Sequence, residues 1–181
     1  MSSLQKFHRR TMSLGPPPPP PFSFTAIGVG SDTVGYWLGD ASSNKLVVAP
    51  KSTEVTNFLW GSYGTTRGTV STTNGLANTN TLAGFGQAAH RPAYAAKNLT
   101  TGGYNTWYLP AKDELMTMYS NKSATPFATA NSFAGAYYWS STEYSDTRAW
   151  GQYLFPGIGV FQNYLRKDSS LSFRAVRRTT I

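Results

Sequence analysis

The chain has 181 residues and a net charge of +8, from sixteen basic and eight acidic side chains. It has no cysteine, which excludes disulfide staples, thiolate metal sites and thiol chemistry. A body of about 150 residues buries roughly 70% of its unfolded surface and folds without staples, and the five Trp, eleven Tyr and ten Phe suit a core built on rings.

Residues 1–24 differ in composition from the rest. The opening "MSSLQKFHRRTMSLGPPPPPP" carries the charge of a secretory leader with no apolar stretch behind it. No apolar run approaches the ~18 residues that span a bilayer, so synthesis in a cytoplasm without membrane insertion is expected. Pro16, Pro17, Pro18, Pro19, Pro20 and Pro21 favour polyproline II, a stiff spacer of about 19 Å. Leu4, Phe7, Arg9, Arg10 and Met12 precede it and Phe22 follows it, so this arm is expected to anchor the chain to other proteins.

From Thr25 to the end the sequence predicts a single domain. "TVGYWLG" and "KLVVAP" read as strands joined by the turn "DASSN". The following stretch, to Gly86, has little periodicity and reads as loop with short extended pieces. Apolar residues recur at helical spacing through "TLAGFGQAAHRPAYAAKNL", with Pro92 marking a kink or a start. "LPAKDELMTMYSNK" is a clearer helix, with Asp113 and Glu114 in the first turn where the dipole favours them. After Asn131, "AYYWSST", "RAWGQYLF", "VFQNYLR" and "LSFRAVRR" read as antiparallel strands. The class is therefore α+β, with two helices and antiparallel sheets.

"AAHRPAYAAKNLTTGGYNTWYLPAKDELMTMY", "YYWSSTEY" and the closing "FRAVRR" stand in the order that resembles the DUF1566 or Lcl C-terminal family, over about residues 34–178. The resemblance implies a C-type lectin-like fold and a binding role, as in bacterial surface proteins and bacteriophage tail-fibre or receptor-binding modules. The calcium signatures of such lectins, Glu-Pro-Asn and Trp-Asn-Asp, are absent from this chain.

Ser140, Ser141 and Thr142 raise the question of a nucleophile, which needs a base and a group that orients it. The two histidines are His8, in the arm, and His90. The residues favour scaffold: Trp139 plugs a core and the hydroxyls bond to backbone at a strand end, and no enzyme is expected. Glu143 and Asp146 read as a solvated loop, since calcium wants six or more oxygens. Neither a metal site nor a cofactor is expected. Arg166, Lys167, Arg174, Arg177 and Arg178 read as a solvated basic face. Nucleic acid is not the expected partner, because aromatic and basic residues do not interleave as an RNA-binding sheet requires.

Ligand contacts are expected instead from Tyr144, Asp146, Arg148, Gln152, Gln162, Tyr164 and Arg166, the mixture of rings, amides and guanidinium groups that paratopes use. The expectation is a bacteriophage virion protein, attached by its arm to other virion proteins and displaying a module for a host surface glycan or protein. The alternative is a head or tail decoration protein with a structural role alone. Sheet edges also suit self-association as a homo-oligomer such as a trimer, though no heptad specifies it.

Overall fold

A computed structural model describes residues 26–28, 33–38, 44–122, 132–155 and 159–180. The anchoring arm, with Leu4, Phe7, Arg9, Arg10, Met12, the six prolines and Phe22, lies outside the described residues.

The class is α+β. Strands β1 (Ala26–Gly28), β2 (Thr33–Leu38) and β3 (Asn44–Val48) are followed by β4 (Val55–Phe58). Helices α1 (Gly75–Gly84), α2 (Arg91–Lys97) and α3 (Lys112–Ser120) come next. Strands β5 (Tyr137–Glu143), β6 (Arg148–Tyr153), β7 (Gln162–Arg166), β8 (Leu171–Phe173) and β9 (Val176–Thr180) complete the chain. One sheet has the order β1-β2-β3-β9 and the other β4-β8-β5-β6-β7. Among the described residues all strand pairings are antiparallel except the single β5–β8 bridge, Tyr138 to Ser172. Strand β3 pairs with β9 over five rungs, from Asn44↔Thr180 to Val48↔Val176.

Alternation along the strands feeds two apolar clusters, because successive side chains point to opposite faces. Val47, Trp107 and Trp139 enter one cluster, with Leu82 of α1 and Ala93 and Ala96 of α2. Leu46, Val48, Tyr108 and Tyr138 enter the other, with Leu115 and Met118 of α3. The buried indoles keep their N–H groups bonded: Trp60 donates to Ser140 O (2.7 Å) and Trp139 to Phe58 O (2.8 Å). Trp139 is buried, as the sequence predicts, and so is Trp107.

Among the described residues, three helices stand where the sequence predicts two. Helix α1 begins inside the stretch read as loop, because Asn74 caps it by accepting from Ala77 N. Helix α2 starts at Arg91 with Pro92 in its first turn, the position that tolerates a missing N–H. At α3, Glu114 accepts from Ala111 N (2.8 Å) and also from Gly75 N (3.2 Å), tying the starts of α1 and α3 together. A Cβ on Gly75 would lie 2.4 Å from the Glu114 carboxylate and 2.6 Å from Ala111 N. Gly75→Ala is therefore expected to cost about 1–3 kcal/mol by overpacking, read as a lower urea midpoint.

Candidate functional site

The hairpin from β5 to β6 and the edge strand β7 carry a group of surface rings. Ser140 to Thr142 bulge out of the ladder between the rungs Trp139↔Gly151 and Glu143↔Ala149. Their hydroxyls satisfy carbonyls of neighbouring segments: Ser140 donates to Trp150 O (2.8 Å), Ser141 to Pro110 O (3.2 Å) and Thr142 to Ser71 O (2.8 Å). All three residues are buried. His90 is engaged elsewhere, with Nδ1 3.3 Å from Trp60 O and Nε2 accepting from Arg67 Nε at 3.0 Å. Those two contacts fix one neutral tautomer, with the proton on Nδ1.

After the bulge, Tyr144 N and Ser145 N both donate to Arg148 O (3.0 Å each), which folds the hairpin tip back on itself. Tyr144 then stacks on Tyr164 of the neighbouring edge strand β7, with ring centroids 4.2 Å apart and planes 7° from parallel. Trp150, directly across from Tyr164, meets both rings edge-on at 5.6 Å. Lys112, at the start of α3, lies over the Trp150 ring at 4.4 Å, and Arg148 over Tyr164 at 5.6 Å. Arg148 and Arg166 face each other across β6 and β7. Like charges so placed repel, and Arg166 is drawn to Asp168 (2.6 Å) and over the Tyr63 ring (4.9 Å). The result is an open aromatic platform rimmed by cations, with Tyr144 52% and Tyr164 38% exposed.

Of the residues the sequence singles out, Tyr144, Arg148 and Tyr164 form this platform and Arg166 borders it. Asp146 is exposed at the hairpin tip, where its carbonyl accepts from Gly64 N (3.0 Å). Gln162 is half-buried and donates to Lys112 O (2.8 Å), so it holds α3 in place. Gln152 is a correction: it pairs with Tyr138 beneath α3 and is fully buried, with Nε2 donating to Tyr153 O (3.3 Å). Sequence reasoning passes over Trp150 and Lys112. The i, i+2 spacing of Arg148 and Trp150 along β6 puts both on one face and is the signal that finds the indole.

Two further expectations are overturned. Glu143 is not in a solvated loop. It is buried, accepting from Arg67 N and Gly68 N (2.8–2.9 Å) and pairing with Lys167 Nζ at 2.5 Å. Nor do the basic residues near the end form one solvated face, since Lys167, Arg174 and Arg177 are buried. Lys167 also donates to Thr65 O (2.8 Å) and lies over Trp60. Arg174 donates to Ala49 O (2.7 Å), and Arg177 stacks on Tyr104 at 3.7 Å. Arg178 pairs with Glu114 (2.8 Å) at the surface. The guanidinium groups act as cross-links between strands, reading backbone oxygens and ring faces from within. Among the described residues, no group of three His, Cys, Asp or Glu comes together as a metal site.

The family profile for the Lcl C-terminal domain matches residues 36–177, most of the chain. The chain belongs to the Lcl C-terminal domain family. Within this Lcl C-terminal domain the matched span contains both apolar clusters, the stacked tyrosines and the Glu143–Lys167 pair. No curated protein matches the chain. Among solved structures, a fimbrial protein from Bacteroides ovatus resembles it with a TM-score of 0.53 and 16% sequence identity, over 72% of this chain and 35% of that one. The chain thus spans about a third of the length of that protein, and the likeness is one of fold. Among the described residues of the Lcl C-terminal domain, no helix is long and apolar enough to cross a membrane.

Proposed function

We propose that this Lcl C-terminal domain is an adhesion and display module. It binds a glycan or protein on a host surface through the Tyr144–Trp150–Tyr164 platform and is attached by residues 1–24 to a larger assembly, a bacteriophage virion in the reading that the sequence motivates. The observation that carries this is the exposed, stacked tyrosine pair beside an indole. The two rings are stacked on each other and held at the surface by the hairpin tip and an edge strand. Tyr and Trp offer large contact area at low entropic cost, and amides and guanidinium groups add adaptable hydrogen bonds. Lys112 and Arg148 favour a ligand that carries negative charge.

A C-type lectin-like topology belongs to the same proposal. It is supported by the pairing of β3 with the final strand β9, which brings distant parts of the sequence into one sheet around the helices. The purely structural alternative, a decoration protein, leaves the platform without a task.

The test is binding of the purified full chain to host cells and to a glycan array, beside Tyr164→Ala. Loss of the stacked ring is expected to weaken binding at least about tenfold, in line with aromatic hot spots worth ~2 kcal/mol. No binding by either protein would sink the adhesion reading and leave decoration, whereas equal binding by both would overturn the assignment of that binding to the platform.

A further inference from the structure

A second site lies at the opposite edge of the five-stranded sheet. Strand β4 is that edge, and its ladder with β8 slips: Val55 pairs with Phe173 and Phe58 with Leu171, so three steps along β4 match two along β8. The extra residue is accommodated at Asn57, which has φ +63° and is the sole positive-φ residue other than glycine among those described. Such bulges re-aim side chains and recur beside functional sites, and a left-handed residue invites a functional explanation.

The bulge opens onto a cleft of about 300 Å³ between β4, β8 and the start of β5. That is the lower end of the ~300–1,000 Å³ range of small-molecule sites. Thr56, Asn57, Tyr137, Ser170 and Ser172 supply its polar lining, and none of the described lining residues is charged. None of these five side chains makes a hydrogen bond to another described residue. By contrast, the hydroxyls of Ser140, Ser141 and Thr142 are spent on backbone carbonyls. Tyr137 is braced by Tyr153 at 5.0 Å between centroids.

We propose that this cleft binds an uncharged saccharide unit. Hydroxyls and an amide both donate and accept, as sugar hydroxyls require. A tyrosine ring offers an apolar face to the C–H side of a pyranose, and a lining uncharged in its described residues gives acidic or amino sugars no ion pair. The site is separate from the platform at β6–β7 and does not depend on the function proposed for it.

The test is an amide-shift NMR titration of the full chain with four probes: the methyl glycosides of glucose, galactose, mannose and N-acetylglucosamine. Saturable shifts with at least one probe are expected at residues 56–57, 134–137 and 170–172, with a millimolar dissociation constant. Ser170→Arg places a long cation in the cleft from an exposed position and should weaken binding about tenfold or more. Asn57→Gly keeps the backbone conformation and removes only the amide, and should weaken it as well. Tyr164→Ala should leave it unchanged. No saturable shift with any probe, shifts confined to other residues, or wild-type binding by a well-folded Asn57→Gly and Ser170→Arg would overturn the proposal.

Discussion

Glu143→Ala is expected to destabilise the domain by about 3–5 kcal/mol, the cost of leaving a buried charge without its partner. Lys167 is fully buried, and its ammonium has the Glu143 carboxylate, the Thr65 carbonyl and the Trp60 ring as company. Removing the carboxylate also orphans Arg67 N and Gly68 N. The double variant Glu143→Leu with Lys167→Met removes both charges and should recover most of the loss, because replacing a buried pair with apolar groups of similar volume is often neutral. Urea unfolding of the three proteins decides it. A single-variant cost below about 1 kcal/mol would show that the pair is solvated, as exposed pairs are.

The second large effect is on pH. Burial, aided by the nearby Arg67 and Lys167 charges, lowers the His90 pKa from 6.5 to about 4, against the opposing pulls of the Trp60 carbonyl and Glu143. Above pH 6.5 the imidazole is neutral in both folded and unfolded chains and contributes no pH dependence. As pH falls from 6.5 to 4, the unfolded chain takes up a proton that the folded one refuses. Stability therefore drops by about 1.4 kcal/mol per unit, to a total of about 3 kcal/mol, and this contribution levels off below pH 4. His90→Gln should remove that component. The check is unfolding free energy at pH 7 and pH 4 for wild type and variant. An equal pH dependence in the two would mean that His90 titrates normally.

The strands and α3 were legible because their signals are local: ring-rich alternation at 137–153, and a Pro, Asp and Glu start at 110–114. Helix α1 was harder, because Asn, Thr and Gly fill most of its ten residues and its buried positions include Asn78 and Thr79. Its one clear sign is Asn74 as a cap. Burial of Lys167, Arg174 and Arg177 follows from what the rest of the fold brings to them, here Glu143 from 24 residues away and Ala49 from 125. Such distant partners leave no mark on neighbouring residues. The platform was half legible: the types of Tyr144, Arg148 and Tyr164 suggested contact residues. Strand alternation from Arg148 points to Trp150 as well, but only the packing of the fold decides that Gln152, two residues further on, is buried.

The layout of the four-stranded sheet also sets how the domain would respond to tension. Strand β1 sits at the rim, joined to β2 by an irregular register of Ala26 with Tyr36 and Gly28 with Thr33. Tension arriving from the residues ahead of it meets that short strand first and can peel it away rung by rung. Deeper in, the five rungs between β3 and β9 must be sheared together. A module pulled from that side thus lengthens through a yielding outer strand while the clasp behind it keeps the ring-bearing face intact.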